Sequence, residues 1–181
     1  MKKTLNLFVF SLFLLGVCAF TTAEWYRFES KPFGFKIEFP VKPVEKTKPL
    51  STASGEVTLN MFEYDASKDT LDLNQVYMAS YVEYAADIDG DNKEQQKQLC
   101  RKAVDNVVAR LKGQLIKESI ITIDGFEGVE ARIEYKNNTE VLKMRMYLVH
   151  NKMYMLETAT KMAKDNNKHI AKFMDSFRLL K

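Results

Sequence analysis

The chain has 181 residues, 28% of them charged, with 27 basic against 24 acidic side chains and a net charge of +3. A balance so near neutrality gives no electrostatic reason to expect nucleic acid or an anionic membrane surface as a partner. Two cysteines and two histidines leave little material for a disulfide framework or a zinc site.

The opening residues have the layout of a secretory signal peptide. Lys2 and Lys3 form a positive start, Leu5 to Ala19 a nearly unbroken apolar run, and Thr21-Thr22-Ala23 a small-residue exit. The run is short against the roughly 20 residues that a membrane-spanning helix needs. Cutting after Ala23 removes residues 1–23 and leaves 24–181 as a single α+β domain with almost no net charge. A second processing reading stays open, because Leu15-Gly16-Val17-Cys18 resembles a lipoprotein site with Cys18 acylated. Either way the expected location is outside the cytoplasm, in a periplasm or cell envelope, with membrane contact only through that lipid. If Cys18 leaves with the signal, Cys100 is the sole thiol and the fold must rest on its core.

Two short strands are predicted at about 24–29 and 34–39, joined by a turn at Lys31-Pro32-Phe33-Gly34. The segment from Val41 holds two prolines, Pro43 and Pro49, and reads as a loop or a ragged edge strand. Alternation predicts a strand at 56–65, and aromatic and β-branched residues predict another at 74–84. Between Asn92 and Leu111 the apolar residues Leu99, Cys100, Ala103, Val104, Val107, Val108 and Leu111 share one half of a helical wheel. Gly113 is placed to end that helix.

Strands follow at about 115–123, 127–136, 139–149 and 153–160, with Asp124-Gly125 and Asn137-Asn138 as turn residues. A closing helix carries Ile170, Phe173, Met174 and Phe177 on one stripe, capped by Asp165 or Asn166. Tight turns between neighbouring strands permit only antiparallel pairing. The predicted class is α+β: an antiparallel sheet of about six to seven strands with two main helices packed against it.

Turn lengths extend this to register. A two-residue turn at Asn137-Asn138 pairs Ile133 with Leu142, Ala131 with Met144 and Val129 with Met146, an apolar face that is the expected core. A three-residue loop at His150-Asn151-Lys152 then pairs Met144 with Thr158, Met146 with Leu156 and Leu148 with Tyr154. On the opposite face this register aligns Glu130, Arg145 and Glu157 in one cross-strand row. Tyr77 and Tyr81, sharing a strand face with Glu83, would complete an aromatic and charged platform suited to a partner.

Other candidates carry less. Asp87, Asp89 and Asp91 imitate the first ligands of a calcium loop, but the closing glutamate is replaced by Gln98 and a strand precedes the segment. The plainer reading is a helix start, with Asp91 or Asn92 as cap and Glu94 in the first turn. Met144, Met146, Met153 and Met155 around His150 suggest soft metal ligands, yet the register above points the last two away from the core. Cys100 reads as a buried, inert thiol. No catalytic signature and no cofactor motif is present, so the expectation is a protein without cofactor or resident metal.

"FGFKIEFPVKP", "DGFEGVEARIEY", "MRMYLVHNKMYML" and "FMDSFRLL" together resemble the PsbP/DcrB-like superfamily. The resemblance covers most of residues 24–181 and implies an antiparallel sheet with helices packed on it. It also implies an exported accessory role, often with a lipid anchor, and brings no active-site residue. The reading that follows is an exported, monomeric, non-enzymatic module that binds a protein or envelope component through a sheet face. The alternative is a carrier of a small apolar ligand between sheet and helix 92–111. A hydrolase or transferase with spatially assembled carboxylates comes third.

Overall fold

The computed structural model describes residues 24–52, 55–84 and 92–181. Residues 1–23, read above as a signal peptide and including Cys18, and the calcium-loop candidates Asp87, Asp89 and Asp91 lie outside the described residues.

The domain opens with β1 (Tyr26–Ser30) and β2 (Phe35–Phe39), followed by β3 (Val44–Thr52), β4 (Gly55–Asp65) and β5 (Val76–Glu83). Helix α1 (Lys93–Leu111) leads into β6 (Gln114–Ile123), β7 (Phe126–Tyr135), β8 (Glu140–Val149) and β9 (Lys152–Lys161). A 3-10 turn at Met162–Lys164, helix α2 (Lys168–Ser176) and the two-residue β10 (Arg178–Leu179) close the chain. Seven strands form one sheet in the order β3-β4-β5-β9-β8-β7-β6, and β1-β2-β10 form a second. Every pairing is antiparallel.

Helix α1 begins where the sequence places it. The Asn92 side chain accepts hydrogen bonds from the Glu94 and Gln95 amides, each at 3.1 Å, satisfying two donors that the first turn leaves without helical partners. Lys112 takes the left-handed conformation at the other end, and the Gly113 amide donates to the Val108 carbonyl at 3.0 Å. A side chain at Gly113 would meet the Glu134 carbonyl at 2.7 Å, so this glycine lets the helix exit run close against β7. Replacing Asn92 with alanine is expected to cost about 1 kcal/mol, read as a lower urea midpoint at unchanged slope. An unchanged midpoint would mean the cap contributes nothing.

Both faces of the large sheet are covered, each by its own core. Under α1 lie Leu59, Val82, Ala131, Ile133, Leu142, Met144, Met146, Leu148 and Met153, meeting Cys100, Val104 and Val107 of the helix. On the opposite face Phe62, Tyr77, Ala79, Tyr81, Tyr147, Tyr154 and Leu156 meet Phe28, Phe35, Ile37 and Phe39 of the small sheet. Ile170, Phe173 and Met174 of α2 join this second core. The apolar stripes of the two helices therefore serve opposite faces. Their shared periodicity gave no information about which face each would take.

Three other expectations need correction. The closing helix is capped by Asn167, whose side chain accepts from the His169 and Ile170 amides, rather than by Asp165 or Asn166. The first two strands leave the main sheet and form the second one with β10. The His150 hairpin turns on two residues, His150-Asn151, so Val149 pairs with Lys152, Met146 with Met155 and Leu148 with Met153. One residue fewer in a turn shifts every downstream side chain to the other face.

Candidate functional site: a charged groove beside the closing helix

The shifted register dismantles the predicted platform. Glu157 pairs with Met144 and Met78, so it lies on the α1 face and is only 4% exposed. Among the described residues its one ion-pair partner is Arg110 on the last turn of α1, at 3.5 Å. Tyr77 and Tyr81 occupy the face expected of them, but the small sheet and α2 cover it, leaving them 0% and 3% exposed. The Tyr77 hydroxyl donates to Asp72 at 2.6 Å and accepts from Asn74 at 2.7 Å. Tyr81 donates to Glu83 at 2.8 Å, and its ring packs on Phe33 and Tyr154. Burial, then the carboxylate partner, raises the pKa of both phenols. They are core tyrosines with satisfied hydroxyls.

Glu130 and Arg145 remain, and they belong to a site. They are direct cross-strand partners, with Arg145 Nε 2.6 Å from the Glu130 carboxylate. They lie on the floor of a groove of about 560 Å³ between the outer strands β6, β7 and β8 and the flank of α2. The wall consists of Asp165, Asn166 and Asn167 before the helix, and Ile170, Ala171, Met174 and Asp175 along it.

Register arranges the floor in two rows. One is Ser119, Glu130 and Arg145; the other, two residues along each strand, is Lys117, Arg132 and Lys143. All six side chains line the groove.

Ion pairs tie floor to wall. Arg145 reaches Asp175 at 2.7 Å. Asp165 bridges Arg132 at 2.9 Å and Lys143 at 3.1 Å, and Arg132 also holds Glu134 at 2.6 Å. Lys143 further donates to the Asp165 carbonyl at 2.8 Å and to the Asn166 side chain at 3.0 Å. Burial works against the charged Arg132 and Arg145, but their carboxylate partners outweigh it and raise both pKa values. Lys117 is the exception: it is exposed, and its side chain makes no hydrogen bond or ion pair to any described residue.

The second row is the part that sequence reasoning missed, although its signal was present. Two-residue turns at Asp124-Gly125 and Asn137-Asn138 place Lys117 beside Arg132 and Arg132 beside Lys143 by counting alone. Like charges directly opposite on neighbouring strands repel, so three cations abreast cost stability unless something else is served.

The remaining candidates are structural. Met144, Met146 and Met153 are fully buried, and Met155 is half-buried, all on the α1 face. This corrects the expectation that the last two point away. They pack with leucine, valine and isoleucine as adaptable core filler. Cys100 is 1% exposed, and burial followed by the Glu118 charge pushes its thiol up to about 11. His169 lies 3.4 Å from Asp72, and His150 packs on Phe126 in its turn. Neither lines the groove. Among the described residues no group of three or more histidine, cysteine, aspartate or glutamate side chains is arranged to hold a metal, and no helix is long and apolar enough to cross a membrane.

No protein-family model matches the sequence, and no curated protein matches it. Among solved structures the chain is similar to cyanobacterial PsbP (CyanoP) from Synechocystis sp. PCC 6803. That similarity has 14% identity, covers 91% of this chain and 98% of the other, and has a TM-score of 0.59. A Pseudomonas aeruginosa protein of unknown function, described as a putative regulator, aligns at 12% identity over 78% of this chain and 85% of its own, with a TM-score of 0.36. The fold is thus PsbP-like, an α+β architecture on antiparallel sheets.

Proposed function

We propose that the protein is an exported, non-enzymatic accessory module that holds a protein partner or envelope component in the groove between α2 and strands β6–β8. The observation that carries this reading is the floor of that groove. Six polar or charged side chains stand in two cross-strand rows, one of them all cationic, beside an apolar helix flank of Ile170, Ala171 and Met174. A polar floor with a small apolar wall suits recognition of another chain. The PsbP-like fold supports an accessory role, and the basic, apolar, small-residue opening of the sequence supports export. Cleavage after Ala23 gives a chain beginning at Glu24, whereas acylation keeps Cys18, and the mass of the mature N-terminus separates the two.

The groove carboxylates favour binding over catalysis. Glu130, Asp165 and Asp175 each face a guanidinium or ammonium within 3.1 Å, so their oxygens are engaged in ion pairs and not paired with one another. The carrier reading has less to rest on: among the described residues the opening near the N-terminal end of α1 is about 250 Å³, below the range of ordinary ligand pockets.

A photo-crosslinking residue at Ser119, in the groove, is expected to give a protease-sensitive adduct in cells. The same residue at Thr47, exposed on the β3 edge, is expected to give none. Equal labelling from both positions, or none from Ser119, would remove the groove as the binding site.

A further inference from the structure

The row Lys117–Arg132–Lys143 carries an inference about what the groove holds, and it rests on the groove being the partner site. We propose that this row receives an acidic, extended peptide segment of the partner, with Lys117 making the first contact. Three observations converge on that chemistry.

The first is the placement of like charges. Neighbouring strands lie about 4.8 Å apart, so three cations abreast on β6, β7 and β8 span about 10 Å. Such a row is unfavourable for the sheet alone. The second is how the protein neutralises it. Arg132 and Lys143 share Asp165, and Arg132 also holds Glu134, all these side chains being 16–24% exposed. Lys117, in the same row, is exposed, and its side chain has no partner among the described residues. The compensation stops short of β6, the edge strand of the sheet, leaving the Lys117 ammonium for an incoming carboxylate.

The third is dimension. About 10 Å matches roughly three residues of extended chain and exceeds what one tetrahedral anion bridges. A second acidic side chain on the same segment reaches the next row. There Arg145 is held by Asp175, whose side chain is 63% exposed and open to displacement. The wall at Ile170, Ala171 and Met174 accepts apolar residues between the acidic ones.

The test uses the whole mature chain and two fluorescein-labelled dodecapeptides, one alternating Glu with Ala and one alternating Gln with Ala. Anisotropy at low ionic strength, about 50 mM, keeps exposed charge contacts measurable. The Glu peptide is expected to bind and the Gln peptide not. Lys117→Glu is expected to weaken binding by about tenfold. Lys48→Glu on the β3 edge changes the net charge by the same amount and is expected to leave binding within about twofold. Both lysines are exposed, and circular dichroism confirms that each variant folds.

Equal binding of both peptides, or equal loss in both variants, would sink the proposal, because attraction would then be non-specific. Displacement of the Glu peptide by submillimolar inorganic phosphate would also overturn it, in favour of a phosphate site. If the Ser119 probe captures a partner while the Glu peptide fails to bind, only this inference falls. If neither happens, the groove reading falls with it.

Discussion

Phe173→Ala is expected to destabilise the protein by about 3–5 kcal/mol, the range for removing a buried phenylalanine ring. Phe173 is 0% exposed, and its ring lies 5.1 Å from Phe39 and 5.4 Å from Tyr77, both in edge-on contact. One side chain of α2 therefore joins the small sheet to the large one. A domain of this size has about 5–15 kcal/mol in total, so the variant would keep only part of its stability and melt about 10 °C lower. Urea unfolding measures the loss directly. The effect reaches the groove, because α2 also carries Ile170, Ala171, Met174 and Asp175. Amide exchange along 168–176 should accelerate more than exchange in α1, which packs on the other face. A loss under about 1.5 kcal/mol would show that α2 is not held through this ring.

Periodicity and turn chemistry made most of the elements legible, and the failures have identifiable physical causes. The helix 93–111, its Asn92 cap and the strands on either side follow from local rules, and the structure has them within a few residues. The Asn137-Asn138 hairpin has the register that its turn length requires. The next hairpin does not, because His150 takes a positive φ of 54° and lets a two-residue turn close where three were expected. Positive φ is uncommon for non-glycine residues, but histidine is among the few enriched there, so His150-Asn151 was a weak signal for a two-residue turn. That single residue moved Glu157, Met153 and Met155 across the sheet.

The site was half legible for a different reason. Facing of Tyr77 and Tyr81 is local information, but their exposure depends on β1, β2 and α2 folding back over the sheet, which no spacing within β5 reports. Aromatic strand residues suit either a binding surface or a two-sided core, and the second core decided between them. The Lys117–Arg132–Lys143 row was legible from the turns on either side of β7, since both are the two-residue kind that local chemistry favours. Opposite charges across strands mark Glu130 and Arg145 as a pair. A row of repelling charges is the more informative pattern, because folding alone gives no reason for it.

Glu157→Gln is expected to stabilise the protein at neutral pH by about 1–3 kcal/mol, the scale on which a buried charge with poor compensation costs a fold. The carboxylate is 4% exposed between Met144 and Met78, and its charged contact is Arg110 at 3.5 Å, long for a charge-assisted bond. Burial raises its pKa, and Arg110 offsets this only in part. The folded state therefore holds the proton more tightly than the unfolded chain does. For that sign, the wild-type protein is best off with Glu157 protonated at low pH. It loses stability as pH rises from the unfolded carboxylate range through the raised folded value. Glutamine mimics the protonated form at every pH, so the gap between variant and wild type should be full at pH 7 and close on acidification. Arg110, 57% exposed, can turn its guanidinium to water when the charge opposite is gone. Paired urea titrations from pH 4 to 8 measure the gap. A variant less stable than wild type at pH 7, or a gap independent of pH, would show that the Arg110 pair contributes more than burying the carboxylate costs.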